Sequence, residues 1–317
     1  MGSALRLFAY TNQFSNFMKN LWQVAFRAGV FTIALGVCPI AESVAKPSLY
    51  ARSEKSTPVL NTSDFPSVFG GADGKTLKKD SSGLIREVEF VAFPGTVFEI
   101  EGSLKRPRAL IYKVRTAEYP SPPTGLYVDS RFVKVFSFPL KARIKKLPSK
   151  QTILGRMLKK EGAAYVWGAN DSRGIPDLLR YYPPKAPVSL RARELWTLKG
   201  LDCSGLLYEA ADGATPRNTS DLITYGKPVS IEGLTVNEIA RQLEPLDLIV
   251  WKGHVIIVLD KTRTIESCLS CSSRGGVTVR DLKTALGEVM KTRNPVNRYP
   301  RIGSAAEKSF VVRRWYV

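Results

Sequence analysis

Five short stretches between residues 88 and 136 are mainly apolar, with β-branched and aromatic side chains, and alternate with turn segments, which is the pattern of short strands. Prolines and glycines separate the stretches, most densely between residues 120 and 125. Short strands joined by tight turns are typical of small β-barrels. The pattern therefore predicts a small closed β-barrel over residues 83–141, with strands at 88–93, 96–101, 109–115, 126–129 and 132–136.

The second half of the chain combines helix and strand patterns. Residues 151–161 carry their apolar side chains on one helical face, which predicts a helix packed on a core. Two apolar runs, at 248–251 and 255–259, are short enough to be buried strands. Together these elements predict an α+β domain over residues 151–317, with a central antiparallel sheet.

The first 45 residues have the features of an export signal. Lys19 and Arg27 precede an apolar run over 28–38, and a small-x-small cleavage motif ends the segment at 43–45. The apolar run is shorter than a membrane-spanning helix. We therefore expect cleavage of the segment 1–45 and export to the periplasm or cell envelope, with an uncleaved anchor as the alternative.

Irregular segments separate the predicted domains. Residues 46–82 are rich in Ser, Pro, Gly, Asp and Lys without periodicity, and are predicted to be a linker or a loosely wrapped arm. Residues 142–150 form a short basic connector. A chain of 317 residues is thus expected to contain two domains besides its export signal.

The chain is strongly basic, with a formal net charge of +19. Such a charge attracts polyanions, and nucleic acid is the usual first candidate. An exported protein meets anionic wall polymers and lipid head groups instead, and no stacked-aromatic or basic-helix motif indicates base recognition. We therefore expect no nucleic-acid partner and expect an anionic envelope surface; a solvated basic surface without a specific partner is the alternative.

A cysteine that begins a helix is the strongest chemical signal. Cys203 follows Asp202 and precedes Ser204, Gly205 and a helix-favouring run. Its thiol would lie in the first helical turn, where free N–H groups and the helix dipole stabilise a thiolate. His254 is the single histidine of the sequence. In a Cys/His enzyme, Cys203 would be the nucleophile and His254 the base; a structural cysteine and histidine are the alternative.

Four segments, in this order, resemble the NlpC/P60 cysteine peptidases, which cut cell-wall peptides. They are Tyr165-Val166-Trp167-Gly168, Asp202-Cys203-Ser204-Gly205, Pro245-Leu246-Asp247-Leu248-Ile249 and Gly253-His254-Val255. In the third segment the family usually has Gly where this chain has Leu246. The resemblance implies a papain-like fold for residues 151–317. The preceding β-rich block resembles the bacterial SH3-like module that commonly precedes this domain.

The resemblance implies a catalytic unit of Cys203, His254 and Glu266. Glu266 lies twelve residues after the base, where the family commonly has His, Asn or Gln. A carboxylate there can accept the imidazole N–H and favour the charged Cys⁻/His⁺ pair. A solvated glutamate at a strand end is the alternative.

The resemblance also implies substrate contacts. Tyr165 would point its hydroxyl toward the catalytic cysteine and the substrate. Asp202 and Ser204 match the positions that bind a free L-Ala amine in members that need one. Arg217 would hold a substrate carboxylate in a bidentate grip, although an exposed loop arginine is the commoner case.

The activity implied by the resemblance is hydrolysis of peptidoglycan stem peptides between D-γ-glutamate and diaminopimelate or lysine. It would proceed through a thioester on Cys203, with no cofactor and no metal, in a monomer that acts on muropeptides. Two alternatives remain open. One is a catalytically inert wall-binding protein, and the other is a thiol acyltransferase or amidase on the same core.

Two segments depart from the compact family pattern. Residues 171–200 are predicted to be an insertion that walls part of the active-site cleft, because they lie between Tyr165 and Cys203. Cys268 and Cys271 form a C-x-x-C motif. Zinc would need two more ligands, so a short-loop disulfide or two free thiols is expected.

Overall fold

The computed structural model describes residues 48–107, 109–271, 275–301 and 303–316. The predicted export signal at 1–45 lies outside the described residues. The described residues form one compact unit that contains two large sheets. Among the described residues, no helix is both long and apolar enough to cross a membrane.

The N-terminal half builds an antiparallel sheet of seven strands within the described residues. They are β1 (Leu49–Ser53), β2 (Thr57–Leu60), β3 (Val88–Ala92), β4 (Val97–Arg106), β5 (Ala109–Arg115), β6 (Leu126–Asp129) and β7 (Val133–Phe136). Their order across the sheet is β3-β2-β6-β5-β4-β1-β7. The short helix α1 (Phe65–Val68) follows β2 and buries Phe65 against the sheet.

Two predictions for this half are corrected by the structure. Residues 46–82, predicted as a linker or arm, supply β1 and β2; β1 pairs with both β4 and β7, and β2 with both β3 and β6. All four residues of β2 are buried, so this strand has no polar face for a periodicity to show. The sheet ends at β3 and β7, which do not pair with each other in the described residues, so the predicted closed barrel is not formed.

The C-terminal half contains the remaining helices and strands. The helices are α2 (Lys150–Leu158), α3 (Asp177–Tyr181), α4 (Leu190–Trp196), α5 (Cys203–Ala210), α6 (Thr219–Leu222), α7 (Val236–Gln242), α8 (Leu282–Thr292) and α9 (Ser304–Glu307). The strands are β8 (Asn170–Asp171), β9 (Gly200–Leu201), β10 (Lys227–Val229), β11 (Leu248–Trp251), β12 (His254–Val258), β13 (Arg263–Cys268), β14 (Gly276–Asp281), β15 (Asn294–Pro295) and β16 (Ser309–Arg314). The large sheet has the order β10-β16-β11-β12-β13-β14, while β8 and β9 pair separately.

Helices cover both faces of this second sheet. Leu248 and Val250 of β11 share a core with α2 and α5, whereas Ile249 shares a core with α7 and α8. Because both faces are buried, the strand is continuously apolar rather than alternating. This arrangement accounts for the apolar runs in the sequence and confirms the predicted mixture of helices with a central antiparallel sheet.

The predicted insertion packs against the first sheet. Its side chains Leu178, Tyr182 and Trp196 are buried in the same core as the strands of that sheet. The Tyr182 hydroxyl donates to Asp129 at 2.6 Å, and the Trp196 indole N–H donates to the Tyr182 carbonyl at 2.8 Å. Residues 171–200 therefore attach the C-terminal half to the N-terminal sheet.

Candidate active site

Cys203 is the first residue of α5, as the sequence predicts. Asp202 caps this helix, since its side chain accepts the Gly205 N–H at 2.7 Å. A Cβ at position 205 would lie 2.2 Å from the Ala169 carbonyl oxygen, so the close approach of the helix to this loop requires glycine. The Cys203 thiol is thus held in the first helical turn, where the N–H groups have no intrahelical acceptor.

His254 begins β12 and joins Cys203 to Glu266. Its Nε2 lies 2.7 Å from Oε2 of Glu266, which is a residue of β13. The other carboxylate oxygen of Glu266 accepts from Arg280 at 3.1 Å. Since Nε2 contacts Glu266, Nδ1 is the ring nitrogen that remains for the Cys203 thiol. The three residues predicted as the catalytic unit therefore lie together.

The two neighbours of His254 stabilise its protonated form. Burial by itself lowers the pKa of His254, but hydrogen bonds and charge interactions with Cys203 and Glu266 outweigh it and raise the pKa to about 10. Burial likewise raises the pKa of the Glu266 carboxyl, and hydrogen bonds and charges from His254 and Arg280 outweigh this to give a net lowering. At neutral pH the imidazole is a cation between two acidic groups, which suits a thiolate–imidazolium pair.

A tight turn fixes the approach of His254 to the helix. Trp251 and His254 pair across the β11–β12 hairpin, which leaves a two-residue turn with Gly253 at φ 105°. Only glycine adopts this conformation without strain. The Gly253 N–H donates to the Thr219 hydroxyl at 2.9 Å, and the Gly253 carbonyl oxygen lies 3.9 Å from Cys203 Sγ. The turn therefore contacts both α6 and the nucleophile.

Cys203 faces a pocket of about 90 Å³ that both halves of the chain line. None of the residues lining it belongs to the segment 171–200, so the predicted role of the insertion as a wall of this cleft is corrected. The lining residues are Val88, Glu89, Tyr119, Tyr165, Trp167, Gly168, Asp202, Cys203, Ser204, Arg217, Asn218, Thr219 and Gly253.

Tyr165 lies where the sequence predicts it, in the pocket beside the nucleophile. Its side chain is largely buried, and this burial, together with the negative charges of Asp202 and Cys203, raises the pKa of the Tyr165 hydroxyl. The phenol therefore keeps its proton across the physiological pH range. A neutral hydroxyl in this position can donate a hydrogen bond to a developing oxyanion.

The substrate-binding roles predicted for Arg217, Asp202 and Ser204 are not supported by their contacts. The buried Arg217 guanidinium donates to Asp202 at 2.9 and 2.6 Å, to the Ser204 hydroxyl at 2.8 Å, to Asn170 at 2.9 Å and to the Ala169 carbonyl at 3.3 Å. These contacts use all five N–H donors of an arginine. Arg217 thus has no donor left for a substrate carboxylate.

Asp202 is equally engaged within the protein. Besides Arg217, it accepts from the Gly168 and Gly205 N–H groups and from the Ser204 hydroxyl at 3.3 Å. Its charge is balanced by the guanidinium and its lone pairs are occupied. Asp202 and Ser204 therefore stabilise the start of α5 around Cys203, and their contacts do not support the predicted binding of a substrate amine.

Three pocket residues, Val88, Glu89 and Tyr119, come from the first half of the chain and escaped the sequence analysis. Glu89 lies on β3, where its carboxylate accepts from Asn61 at 2.7 Å and from the Tyr119 hydroxyl at 2.7 Å. Both donors are neutral, and Glu89 has no cationic partner among the described residues. The pocket thus contains a carboxylate without an ion-pair partner among the described residues.

Cys268 and Cys271 form a disulfide, one of the two states expected from the sequence. Their sulfurs and a Glu266 carboxylate oxygen lie within 4.8 Å of one another. A disulfide offers no thiolate to a metal. Cys203 is the free cysteine of the described residues, and it is buried.

No protein-family model matches the chain, and no curated protein matches it in sequence. Among solved structures it is similar to an NlpC/P60 family protein from Bacillus cereus, with 14% identity over 85% of this chain and 64% of that one and a TM-score of 0.31. The chain thus spans less than two thirds of the length of the Bacillus cereus protein.

Two further structures show the same level of similarity. RipD from Mycobacterium tuberculosis, described as a non-catalytic NlpC/p60 domain protein adapted to peptidoglycan binding, has 20% identity over 42% of this chain and 86% of its own, with a TM-score of 0.28. NlpC1 from Trichomonas vaginalis has 12% identity over 85% and 70%, with a TM-score of 0.31. TM-scores this low do not define a common fold, so the functional argument depends on the residues of the site.

Proposed function

We propose that this protein is a cysteine peptidase of the NlpC/P60 type that hydrolyses peptidoglycan stem peptides. The observation that supports it most strongly is the arrangement of Cys203, His254 and Glu266. A thiol at a helix N-terminus contacts an imidazole whose other nitrogen lies 2.7 Å from a carboxylate. This is the arrangement of groups that activates a nucleophile in acyl transfer.

The reaction proceeds in two acyl-transfer steps. The Cys203 thiolate attacks the amide carbonyl carbon, the C–N bond breaks, and protonated His254 gives its proton to the departing amine. Neutral His254 then takes a proton from water as the resulting hydroxide attacks the thioester, and the C–S bond breaks. The acid product leaves, and the thiolate–imidazolium pair is restored.

Two donors are positioned to stabilise the negative oxygen of each tetrahedral intermediate. The Cys203 N–H belongs to the first turn of α5 and has no intrahelical acceptor. The Tyr165 hydroxyl lies in the same pocket and keeps its proton. One such donor contributes about 3 kcal/mol to transition-state stabilisation in related acyl transfers.

The charge of the pocket supports a substrate with a free amine. Glu89 is the pocket carboxylate without a cationic partner, whereas the charge of Asp202 is balanced by Arg217. An N-terminal ammonium beside Glu89 would supply the missing cation in the pocket. This supports stem peptides released from glycan as substrates, cut between D-γ-glutamate and diaminopimelate or lysine.

The proposed activity is consistent with the predicted location and with a monomer. An exported enzyme in the periplasm or cell envelope would meet these muropeptides, and a monomer has all the groups that the reaction uses. The N-terminal half of the chain contributes Val88, Glu89 and Tyr119 to the pocket. Its role would therefore be to shape the substrate site.

Incubation with purified muropeptides, followed by mass spectrometry, tests the proposal. The parent protein should convert a free stem peptide into two fragments that together gain one water, and Cys203→Ala should not. Thermal unfolding of both proteins checks that the substitution leaves the fold intact. Binding without cleavage by the parent would indicate a wall-binding protein, and transfer of the acyl group to an added amine or lipid would indicate an acyltransferase; either result overturns the proposal.

A further inference from the structure

A long stretch between the two halves of the chain has no acidic residue. From Ser130 to Lys160 the sequence contains ten Lys or Arg and neither Asp nor Glu. The stretch includes β7, the coil that connects it to α2, and α2 itself. Four of these ten cations pair with carboxylates from other parts of the chain. The other six have no carboxylate partner among the described residues, and they give this part of the surface a local positive charge.

The same stretch exposes apolar side chains. Ten large apolar residues are exposed among the described residues, and five of them lie here. Ile144 is the most exposed at 92%, followed by Phe138 at 56% and Leu147 at 47%. Single exposed apolar residues are common on protein surfaces, but a concentration of them among cations needs a partner that accepts both.

Contacts within the protein hold Ile144 outward. The neighbouring Arg143 turns inward, where it donates to Glu118 and to the Asp212 carbonyl at 3.1 Å. Further along, the Pro148 carbonyl accepts from the Tyr316 hydroxyl at 3.0 Å. The coil is therefore fixed on both sides of Ile144, so exposure of this side chain is built into the fold.

The cations around these apolar residues are also available to a partner. Lys141 and Lys146 are exposed, and within the described part of the chain neither is paired with a carboxylate. Lys134 lies 5.9 Å from the ring of Phe136, which in turn contacts the ring of Phe138 at 5.5 Å. Charged and apolar groups thus alternate along one segment, as in peripheral membrane-binding sequences.

We propose that residues 134–147, the connector surface, bind an anionic lipid surface. The cations would attract the head groups, and Phe138, Ile144 and Leu147 would enter the boundary between head groups and acyl chains. A hydrophilic wall polyanion would satisfy the cations but would gain nothing from the apolar side chains. The proposal is independent of the peptidase activity, because none of these residues lines the pocket of Cys203.

Sedimentation with lipid vesicles tests the connector surface. The full chain is mixed with vesicles of phosphatidylcholine alone or with added phosphatidylglycerol, and the bound fraction is measured at several salt concentrations. Ile144→Ser is compared with Leu190→Ser, because Leu190 is also highly exposed, at 84%, but lies outside the stretch. Comparing variants of the same full chain makes any contribution of the predicted export signal equal in all of them.

Binding is expected only to the anionic vesicles and should weaken with salt. Ile144→Ser should weaken it at least tenfold, and Lys141→Gln with Lys146→Gln about 30-fold, since each cation near an anionic surface contributes about fivefold. Leu190→Ser should bind like the parent. Equal binding of the Ile144 and Leu190 variants would overturn the proposal.

Competition with soluble polyphosphate distinguishes a lipid surface from a wall polymer as the partner of the connector surface. Under the proposal, polyphosphate competes only weakly with vesicles for the protein. The affinity of the protein for polyphosphate should be the same with and without Ile144→Ser. If the protein binds polyphosphate but no vesicle, the connector surface recognises a polyanion and the lipid assignment falls.

Discussion

Two clusters of polar side chains lie at the pocket, and they differ in whether their hydrogen-bonding groups are already occupied. In the catalytic cluster (Cys203, His254, Glu266) the carboxylate holds one imidazole nitrogen, and the other nitrogen remains free to exchange a proton with the thiol. In the arginine cluster (Asp202, Ser204, Arg217) every guanidinium donor already has an acceptor. Only the catalytic cluster has capacity left for a substrate.

The comparison shows that charge and burial beside a nucleophile do not identify a substrate-binding group. What distinguishes the clusters is unused hydrogen-bonding capacity. Glu89, with two neutral donors on its carboxylate, has such capacity, whereas Asp202 has none. Each of the following predictions tests this distinction.

Removing the Arg217 guanidinium should have the largest effect of these substitutions, and the effect should be a loss of stability. Arg217→Met leaves the buried Asp202 carboxylate without its cation, which should cost about 3–5 kcal/mol of unfolding free energy. Urea denaturation measures it. Arg115→Met is the matched control, because Arg115 forms exposed ion pairs with Glu99 and Glu101 and should cost below about 1 kcal/mol.

Unchanged stability of Arg217→Met would indicate that Arg217 binds the substrate. If Arg217→Met keeps the stability of the parent but raises KM for peptides with a free α-carboxylate, the guanidinium reaches the substrate. The two clusters would then be alike in function.

Glu266→Gln should change the pH dependence of the catalytic cluster. The glutamate charge helps to raise the pKa of His254 to about 10, so removing it lowers that pKa. The thiolate–imidazolium pair is lost as pH rises through the His254 pKa, and the alkaline limb of kcat/KM should therefore move to lower pH. We expect kcat/KM at neutral pH to fall on the order of 100-fold.

Glu288→Gln is the control for this measurement. Arg280 contacts both Glu266 and Glu288, but Glu288 does not contact His254. Its loss should leave the alkaline limb in place. An unchanged limb in Glu266→Gln would mean that the carboxylate positions the imidazole without setting its charge.

The catalytic cluster could be predicted because four segments of the sequence resemble the motifs of a known family, and in the structure the local backbone holds each member of the cluster. A helix start holds Cys203, a two-residue turn with Gly253 holds His254, and the adjacent strand holds Glu266. Even Leu246 keeps the left-handed conformation, with φ 76°, that glycine usually supplies at this point of the motif. Each motif could therefore be recognised from its own short segment, although Cys203 and His254 become neighbours only in the fold.

The features that could not be predicted from the sequence depend on contacts between distant parts of the chain. No local pattern marks Glu89 on β3 as a pocket residue, and none shows that the insertion 171–200 packs on the first sheet. Arg217 was ambiguous for the same reason, since its acceptors Asp202 and Asn170 become neighbours only in the fold. The strand β2 was missed because all four of its residues are buried, and β1 because its buried positions are the small residues Ala51 and Ser53.

Glu89→Gln should weaken recognition of a free amine by about tenfold in kcat/KM, since it removes a charged partner from a hydrogen bond. An N-acetylated peptide, which has no cation, should be cut equally by parent and variant. Glu87→Gln is the control, because its carboxylate pairs with Lys78 at 2.8 Å. An equal loss of kcat/KM on both peptides would mean that Glu89 maintains the structure of the pocket and does not bind the amine.

Ser204→Ala should have the smallest effect and should affect stability rather than substrate. The hydroxyl accepts from Arg217 at 2.8 Å and donates to Asp202 at 3.3 Å, so its loss leaves one guanidinium N–H unpaired at a cost of about 1 kcal/mol. Thr215→Val is the control, because the buried Thr215 hydroxyl has no partner in the described residues and its removal should cost less. Thermal unfolding and KM for the free-amine peptide are measured together. A raised KM with unchanged stability would mean that Ser204 contacts the amine, and the arginine cluster would then take part in binding.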